Sequence, residues 1–368
     1  MFHTTKSNRI VASLLTALTF FFLFTSAVAA DSQLGNALVS AEETRLFAGV
    51  KDPAEAVFER LSVERKALEN GNNTRNLDAW LDQVRTLNHQ VPVGNGYSLA
   101  VTETFTLRSW LRHHHRAVVF LPGSSFRGNH FNIPVDGYDS GAIVAQHQGF
   151  AFAVDYIGVG DSTRPTNGRV ATFELQREAV RTLIHYIRHF RAVPKVDLIG
   201  DGFGGAIAYE LAADGARVRS ATASAMLYRE VGPASPLADP GFVGLLEGSP
   251  DGYFFLPGEA SLFFMVDAPQ AARDYVAATQ GGFYPVDNFL VATQRPFFDP
   301  TRARAPGLLL YGSRDLIGVP ADITNLAAEY GRSGATLVVN PNAGHAPRAE
   351  GPEIAAWYWS TVLDFLDL

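Results

Sequence analysis

Cysteine is absent from all 368 residues, which excludes a disulfide framework, a thiol nucleophile, a thiolate metal site and a lipidated cysteine together. Stability must therefore come from the core. With 47% hydrophobic residues the chain can bury one, as a single large domain or a domain carrying an insertion. A basic block is missing too. Thirty lysines and arginines stand against 37 aspartates and glutamates, for a formal charge of -7, so nucleic acid is not an expected partner. Beyond the first 30 residues no apolar run is long enough to span a bilayer. There is no internal repeat and no low-complexity tract.

What is present begins with an export signal. Lys6 and Arg9 supply a positive start, residues 10–24 form an apolar run ending in "FFFLF", and Ala27-Val28-Ala29 offers an A-x-A cleavage site. The pattern predicts a secreted or periplasmic protein whose mature chain starts at Ala30 or Asp31. An uncleaved membrane anchor is the weaker reading, because the run falls short of the roughly 20 residues needed to cross a bilayer.

After the signal, residues 31 to about 92 read as helices. "SAEETRLFAGV", "DPAEAVFERLSVERKAL" and "NLDAWLDQVRTL" each place apolar residues three or four apart. Asn72-Asn73-Thr74 formally matches a glycosylation acceptor. From residue 97 the period changes: "YSLAVTETFTL" alternates like a hairpin strand, and "RAVVFLPG", "FAFAVDYIG" and "KVDLIG" are short apolar runs of the buried parallel kind. Helical patterns lie between them, as in "TFELQREAVRTLIHYIRHF", where Leu175, Val180, Leu183, Ile184 and Ile187 share a face. Strands alternating with helices imply a mostly parallel sheet covered on both faces. The alternation lapses over residues 229–300, rich in Gly, Pro and Phe, and returns with "GLLLYGSRD", "ATLVVNPNAGH" and a last helix, "EIAAWYWSTVLDFL".

Four stretches carry the chemistry, in a fixed order along the chain. They are "VVFLPGSSF", "VDYIGVGDS", "LIGDGFGG" and the pair "LYGSRDLIGVP" with "NPNAGHAP". Over roughly residues 95–366 they resemble the α/β-hydrolase family in its own order. The resemblance implies a mostly parallel central sheet flanked by helices, with a cap inserted after the sixth strand. It divides the chain into a signal peptide (1–30), a helical extension (31–94), a first core part (95–228), a cap (229–300) and a second core part (301–368).

The resemblance also implies site residues. Small residues must flank the nucleophile two positions away on each side, because the strand turns abruptly into a helix there. Gly200 and Gly204 meet that rule only for position 202, which is glycine. Asp201 as nucleophile conflicts with the same rule, having Ile199 and Phe203 at the flanking positions. The amides of Ser124 and Phe203 are the expected oxyanion donors. Asp315 and His345 are the expected acid and base of the dyad. Asp155, Gly158, Gly160 and Ser162 are expected to shape a turn and carry no catalytic role.

Around these, Ser125, Phe126, Asp201, Tyr228, Phe254 and Phe255 are expected to contact substrate, with Ser125 a secondary candidate nucleophile. No cofactor and no metal are expected. The histidines of "RHHHR" (112–116) point alternately to opposite faces of an extended segment and do not converge on one ion. The expected partner is a small apolar ester- or amide-like substrate, handled by an enzyme that lacks the serine nucleophile. The competing readings are an inactive hydrolase relative that binds such a ligand, and a lyase or isomerase that forms no covalent intermediate.

Overall fold

Asn95 and Gly96 both sit at positive φ, 53° and 77°, the combination a tight two-residue hairpin turn requires. The turn joins β1 (Arg85–Gly94) to β2 (Tyr97–Phe105), antiparallel with Val91 opposite Leu99. The structure is a computed structural model that describes Phe47, residues 49–52, Ala54 and residues 74–110, 116–215 and 217–368. The signal segment, most of the helical extension and the three consecutive histidines lie outside the described residues. One expectation is corrected here. The helix expected across "NLDAWLDQVRTL" covers only Thr74–Asp82, and β1 begins at Arg85. Pairing with β2 overrides the helical period, because the extended chain buries His89 and Val91 against the core.

The strands that follow are β3 (Ala117–Leu121), β4 (Phe150–Val154), β5 (Val196–Asp201), β6 (Val218–Ser224), β7 (Tyr253–Leu256), β8 (Gly282–Pro285), β9 (Gly307–Gly312) and β10 (Ala335–Asn340). Eight of them form one sheet in the order β1-β2-β4-β3-β5-β6-β9-β10. β2 runs antiparallel to β4, and every neighbouring pair from β4 onward is parallel. β3, β4 and β5 are buried at every position, as strands covered on both faces must be. Val119, Leu121 and Leu198 pack with the helices Phe173–Arg191 and Phe203–Leu211. Val118, Phe120 and Ile199 take the other face, beneath Tyr358, Trp359 and Val362 of the helix Pro352–Leu366.

Local signals agree with these elements. The helix Phe173–Arg191 starts at Thr172, whose side chain accepts from the Leu175 amide, and it carries Glu174 in its first turn and Arg188, His189 and Arg191 in its last. After β6 the chain leaves the sheet, builds the helices Pro240–Glu247 and Gln270–Thr279 and a two-stranded antiparallel sheet of β7 and β8, and returns at β9. This insertion is tied to the loop that follows β3. The Arg127 amide donates to Gln280 Oε1 at 2.8 Å, and Arg127 Nη2 donates to the Gly281 carbonyl at 2.9 Å.

Candidate active site

β5 ends in a turn whose shape follows from three glycines. A Cβ at Gly200 would lie 2.3 Å from Gly204 backbone, and one at Gly204 would lie 2.0 Å from the Leu121 carbonyl oxygen. Both positions therefore exclude a side chain. Gly202, between them, sits at φ 51° and ψ -111° as the residue before the helix Phe203–Leu211, and its amide donates to the Ser224 carbonyl at 2.8 Å. A Cβ there would meet the Ala225 carbonyl oxygen at 3.2 Å and nothing else within 4 Å outside its chain neighbours. The turn thus presents open space where a nucleophile's side chain would stand.

The amide of Phe203 opens that helix and has no acceptor within it. Gly123 precedes Ser124 in the adjacent loop, close against β5: a Cβ on Gly123 would lie 3.6 Å from the Asp201 carbonyl oxygen. The turn after β4 supports this loop from below. Asp155 accepts from the Gly128 amide at 2.7 Å and the Asp161 amide at 3.0 Å, and Ser162 donates to the Asp155 carbonyl at 2.6 Å. Gly160, at φ 54°, must be glycine because a Cβ would fall 1.9 Å from Asp155 Oδ2.

The loops after β9 and β10 hold Asp315 and His345, the acid and base expected from the sequence. Asp315 is buried, and its Oδ1 accepts from the amides of Ile317 (2.7 Å) and Gly318 (3.0 Å). Its Oδ2 lies 2.9 Å from His345 Nδ1. Burial pushes the Asp315 carboxyl up, but the His345 ring and the two backbone donors outweigh burial and hold it below the ordinary range. With Asp315 ionised, Nδ1 carries the ring proton and Nε2 is left to act as a base. The His345 loop presses on the end of β9, since a Cβ on Gly312 would lie 2.2 Å from the Gly344 carbonyl oxygen. Glu350 fixes it further, accepting from the Gly344 amide at 3.0 and 2.8 Å through its two oxygens.

These pieces converge on one cavity of about 250 Å³. Ser124, Ser125, Phe126, Gly202, Phe203 and His345 all line it, while Asp315 stands behind His345. Asp201 also lines it, yet its carboxylate is engaged away from any substrate: Oδ1 accepts from Ser224 Oγ at 2.6 Å and Oδ2 from Arg348 Nη2 at 2.8 Å. Three expected substrate contacts are corrected. Tyr228 donates its hydroxyl to Glu329 and packs on Phe298. Phe254 packs against Phe242 and Phe289, and Phe255 is 54% exposed beside Phe283. None of the three is in the cavity wall. Phe254 and Phe255 lie on a strand of a two-stranded sheet, where neighbouring side chains alternate between faces, so a run of aromatics does not place them all inward.

The insertion instead contributes Leu237, Phe242, Phe263, Phe264, Phe289 and Phe297 to the wall. Phe264 packs on the His345 ring, centroids 5.6 Å apart. His130, which no sequence signal marked, is there too. Among the described residues no group of three or more His, Cys, Asp or Glu is placed to hold a metal ion, and no helix is long and apolar enough to cross a membrane.

The parallel sheet, the glycine-flanked turn after β5 and the positions of Asp315 and His345 after the later strands can be set beside solved structures. A structure of E-2-(acetamidomethylene)succinate hydrolase matches with a TM-score of 0.57 at 18% identity, over 77% of this chain and 100% of that one. The fold is that of the α/β-hydrolases. An esterase from Exiguobacterium antarcticum matches this α/β-hydrolase fold with a TM-score of 0.55 at 14% identity, over 77% of this chain and 100% of that one. A bacterial membrane phospholipase A matches with a TM-score of 0.54 at 20% identity, over 96% of this chain and 99% of that one. Identities this low speak for the fold alone. No family model and no curated protein matches the sequence.

Proposed function

We propose that the protein is an exported hydrolase of small apolar ester- or amide-like substrates that works without a covalent nucleophile. The observation that carries this reading is the convergence of Gly202, Ser124, Phe203 and His345 on one cavity with an aromatic wall. In the proposed reaction a water occupies the space beside Gly202. His345 Nε2 removes a proton from it as the oxygen adds to the substrate carbonyl carbon, and Asp315 balances the imidazolium that forms. The carbonyl oxygen becomes an oxyanion facing the Ser124 and Phe203 amides. Collapse of the tetrahedral species breaks the bond to the leaving group, which takes its proton from His345. No acyl-enzyme forms at position 202, which has no side chain. The solved neighbours include a hydrolase and an esterase by name, which fits this class without assigning a substrate.

The test is hydrolysis of a panel of short activated esters by the mature chain, beside the His345→Ala and Gly202→Ser variants. The expected result is turnover by the unaltered protein that falls about 10²–10⁴-fold in His345→Ala, the usual contribution of a general base. Turnover by Gly202→Ser alone would overturn the proposal and leave a ligand-binding protein on a hydrolase fold.

A further inference from the structure

Beneath the cavity lies a buried polar chain that the proposed reaction does not use. His130 is 1% exposed and Arg348 2% exposed. Arg348 Nη2 lies 2.8 Å from His130 Nδ1 and donates to Asp201 Oδ2 at 2.8 Å, while Nη1 donates to the His130 carbonyl at 3.0 Å. A guanidinium has only donors, so Nδ1 must be the acceptor and the ring proton must sit on Nε2. Burial, with Arg348 alongside, pushes the His130 ring well below the ordinary histidine range, so it stays neutral. Phe126 stacks on this ring, centroids 4.0 Å apart with 22° between planes. The Nε2–H finds no acceptor among the described residues, although His130 belongs to the cavity wall.

A buried donor fixed in one tautomer and left without an acceptor is a place where a ligand atom completes the structure. Its chemistry is defined by its neighbours. The Arg348 charge is already paired with Asp201, so this wall offers one neutral N–H and no free cation, which suits an uncharged oxygen better than a carboxylate. We propose that His130 Nε2 donates a hydrogen bond to a second carbonyl oxygen of the ligand, while the Ser124 and Phe203 amides take the first. The substrates are then dicarbonyl compounds, such as keto esters, in preference to simple apolar esters. This rests on reading the cavity as a substrate site.

Two unreactive ketones of matched shape test it, heptane-2,5-dione and 6-methylheptan-3-one, which differ in whether the second carbonyl is present. Their dissociation constants are measured on the full chain and on His130→Phe, and the Nε2–H proton is followed by NMR in the unaltered, histidine-labelled protein. The relative affinity for the diketone is expected to fall about 2- to 10-fold in His130→Phe, the range for one neutral hydrogen bond. In the unaltered protein the diketone, and not the monoketone, should move the Nε2–H resonance downfield. An unchanged affinity ratio overturns the assignment. Should His130→Phe fail to fold, an Nε2–H resonance that responds alike to both ketones overturns it as well. If neither ketone binds the unaltered protein, the substrate-site reading itself falls and this one with it.

Discussion

At Gly202 the backbone holds φ at 51° with ψ at -111°, a combination open to glycine and strained for any other residue. Room and strain therefore separate at this position. A Cβ has space, apart from the Ala225 carbonyl oxygen at 3.2 Å, so Gly202→Ser should fold, with a stability loss of about 1–3 kcal/mol from backbone strain. A thermal melt beside the unaltered chain measures it, and an equal or higher midpoint would contradict the strain argument. Gly204→Ala should behave differently, because its Cβ would sit 2.0 Å from the Leu121 carbonyl oxygen and only a shift of helix against strand relieves it. Loss of soluble, cooperatively folding protein is the expected outcome, checked by circular dichroism during urea titration. Gly200, Gly202 and Gly204 were legible in the sequence, since a spacing of small residues is a steric statement about backbone. His130 was not: a lone histidine in a short turn becomes a feature only when Arg348, 218 positions later, is brought to it.

Between elements, Arg348 joins three separate parts of the site. It lies in the short turn Pro347–Ala349 just after His345, and it reaches the end of β5 through Asp201 and the turn Gly128–Phe131 through His130. Its guanidinium also stands 3.9 Å from the Phe131 ring centroid. Removing it with Arg348→Ala leaves the buried Asp201 carboxylate without its counter-ion, at a cost of about 3–5 kcal/mol. The double change Asp201→Asn with Arg348→Met should recover much of that loss, because no charge is then left unpaired. Urea midpoints of the two variants beside the unaltered chain decide it, and a double variant no more stable than Arg348→Ala would argue against the pairing. The alternation of strands with helices and the loops that carry Asp315 and His345 were legible from apolar runs and short motifs, which act locally. The cavity's aromatic wall was not. In a glycine-rich insertion with many phenylalanines, which ring faces inward depends on how the β7–β8 pair and the neighbouring helices pack, as the outward Phe255 and inward Phe264 show.

Across the whole molecule, the hairpin that opens the sheet is fastened to the helix Phe173–Arg191 by buried charge. Glu103 on β2 is fully buried, accepts from Arg191 Nε and Nη2 at 2.6 Å each, and lies 2.8 Å from His89 Nε2 on β1. Asp52 pairs with Arg191 from outside at 2.7 Å, and the Tyr186 hydroxyl meets His89 Nδ1 at 3.0 Å. Burial alone would push the Glu103 carboxyl up, yet Arg191 and then His89 outweigh it and hold it at about 2, against an ordinary 4.5. A carboxyl depressed on folding contributes stability that is complete above its unfolded value and disappears as pH falls through its folded value. Here that window runs from 4.5 down to about 2, and the contribution is on the order of 3 kcal/mol at 1.36 kcal/mol per unit. Glu103→Gln should therefore be markedly less stable than the unaltered chain at pH 7 and at pH 5, and the gap between their urea midpoints should close as pH drops from 4.5 toward 2. A gap that stays constant through that window would mean that Glu103 acts by packing and hydrogen bonding alone, because ionisation of its carboxyl is what the Glu103→Gln change removes.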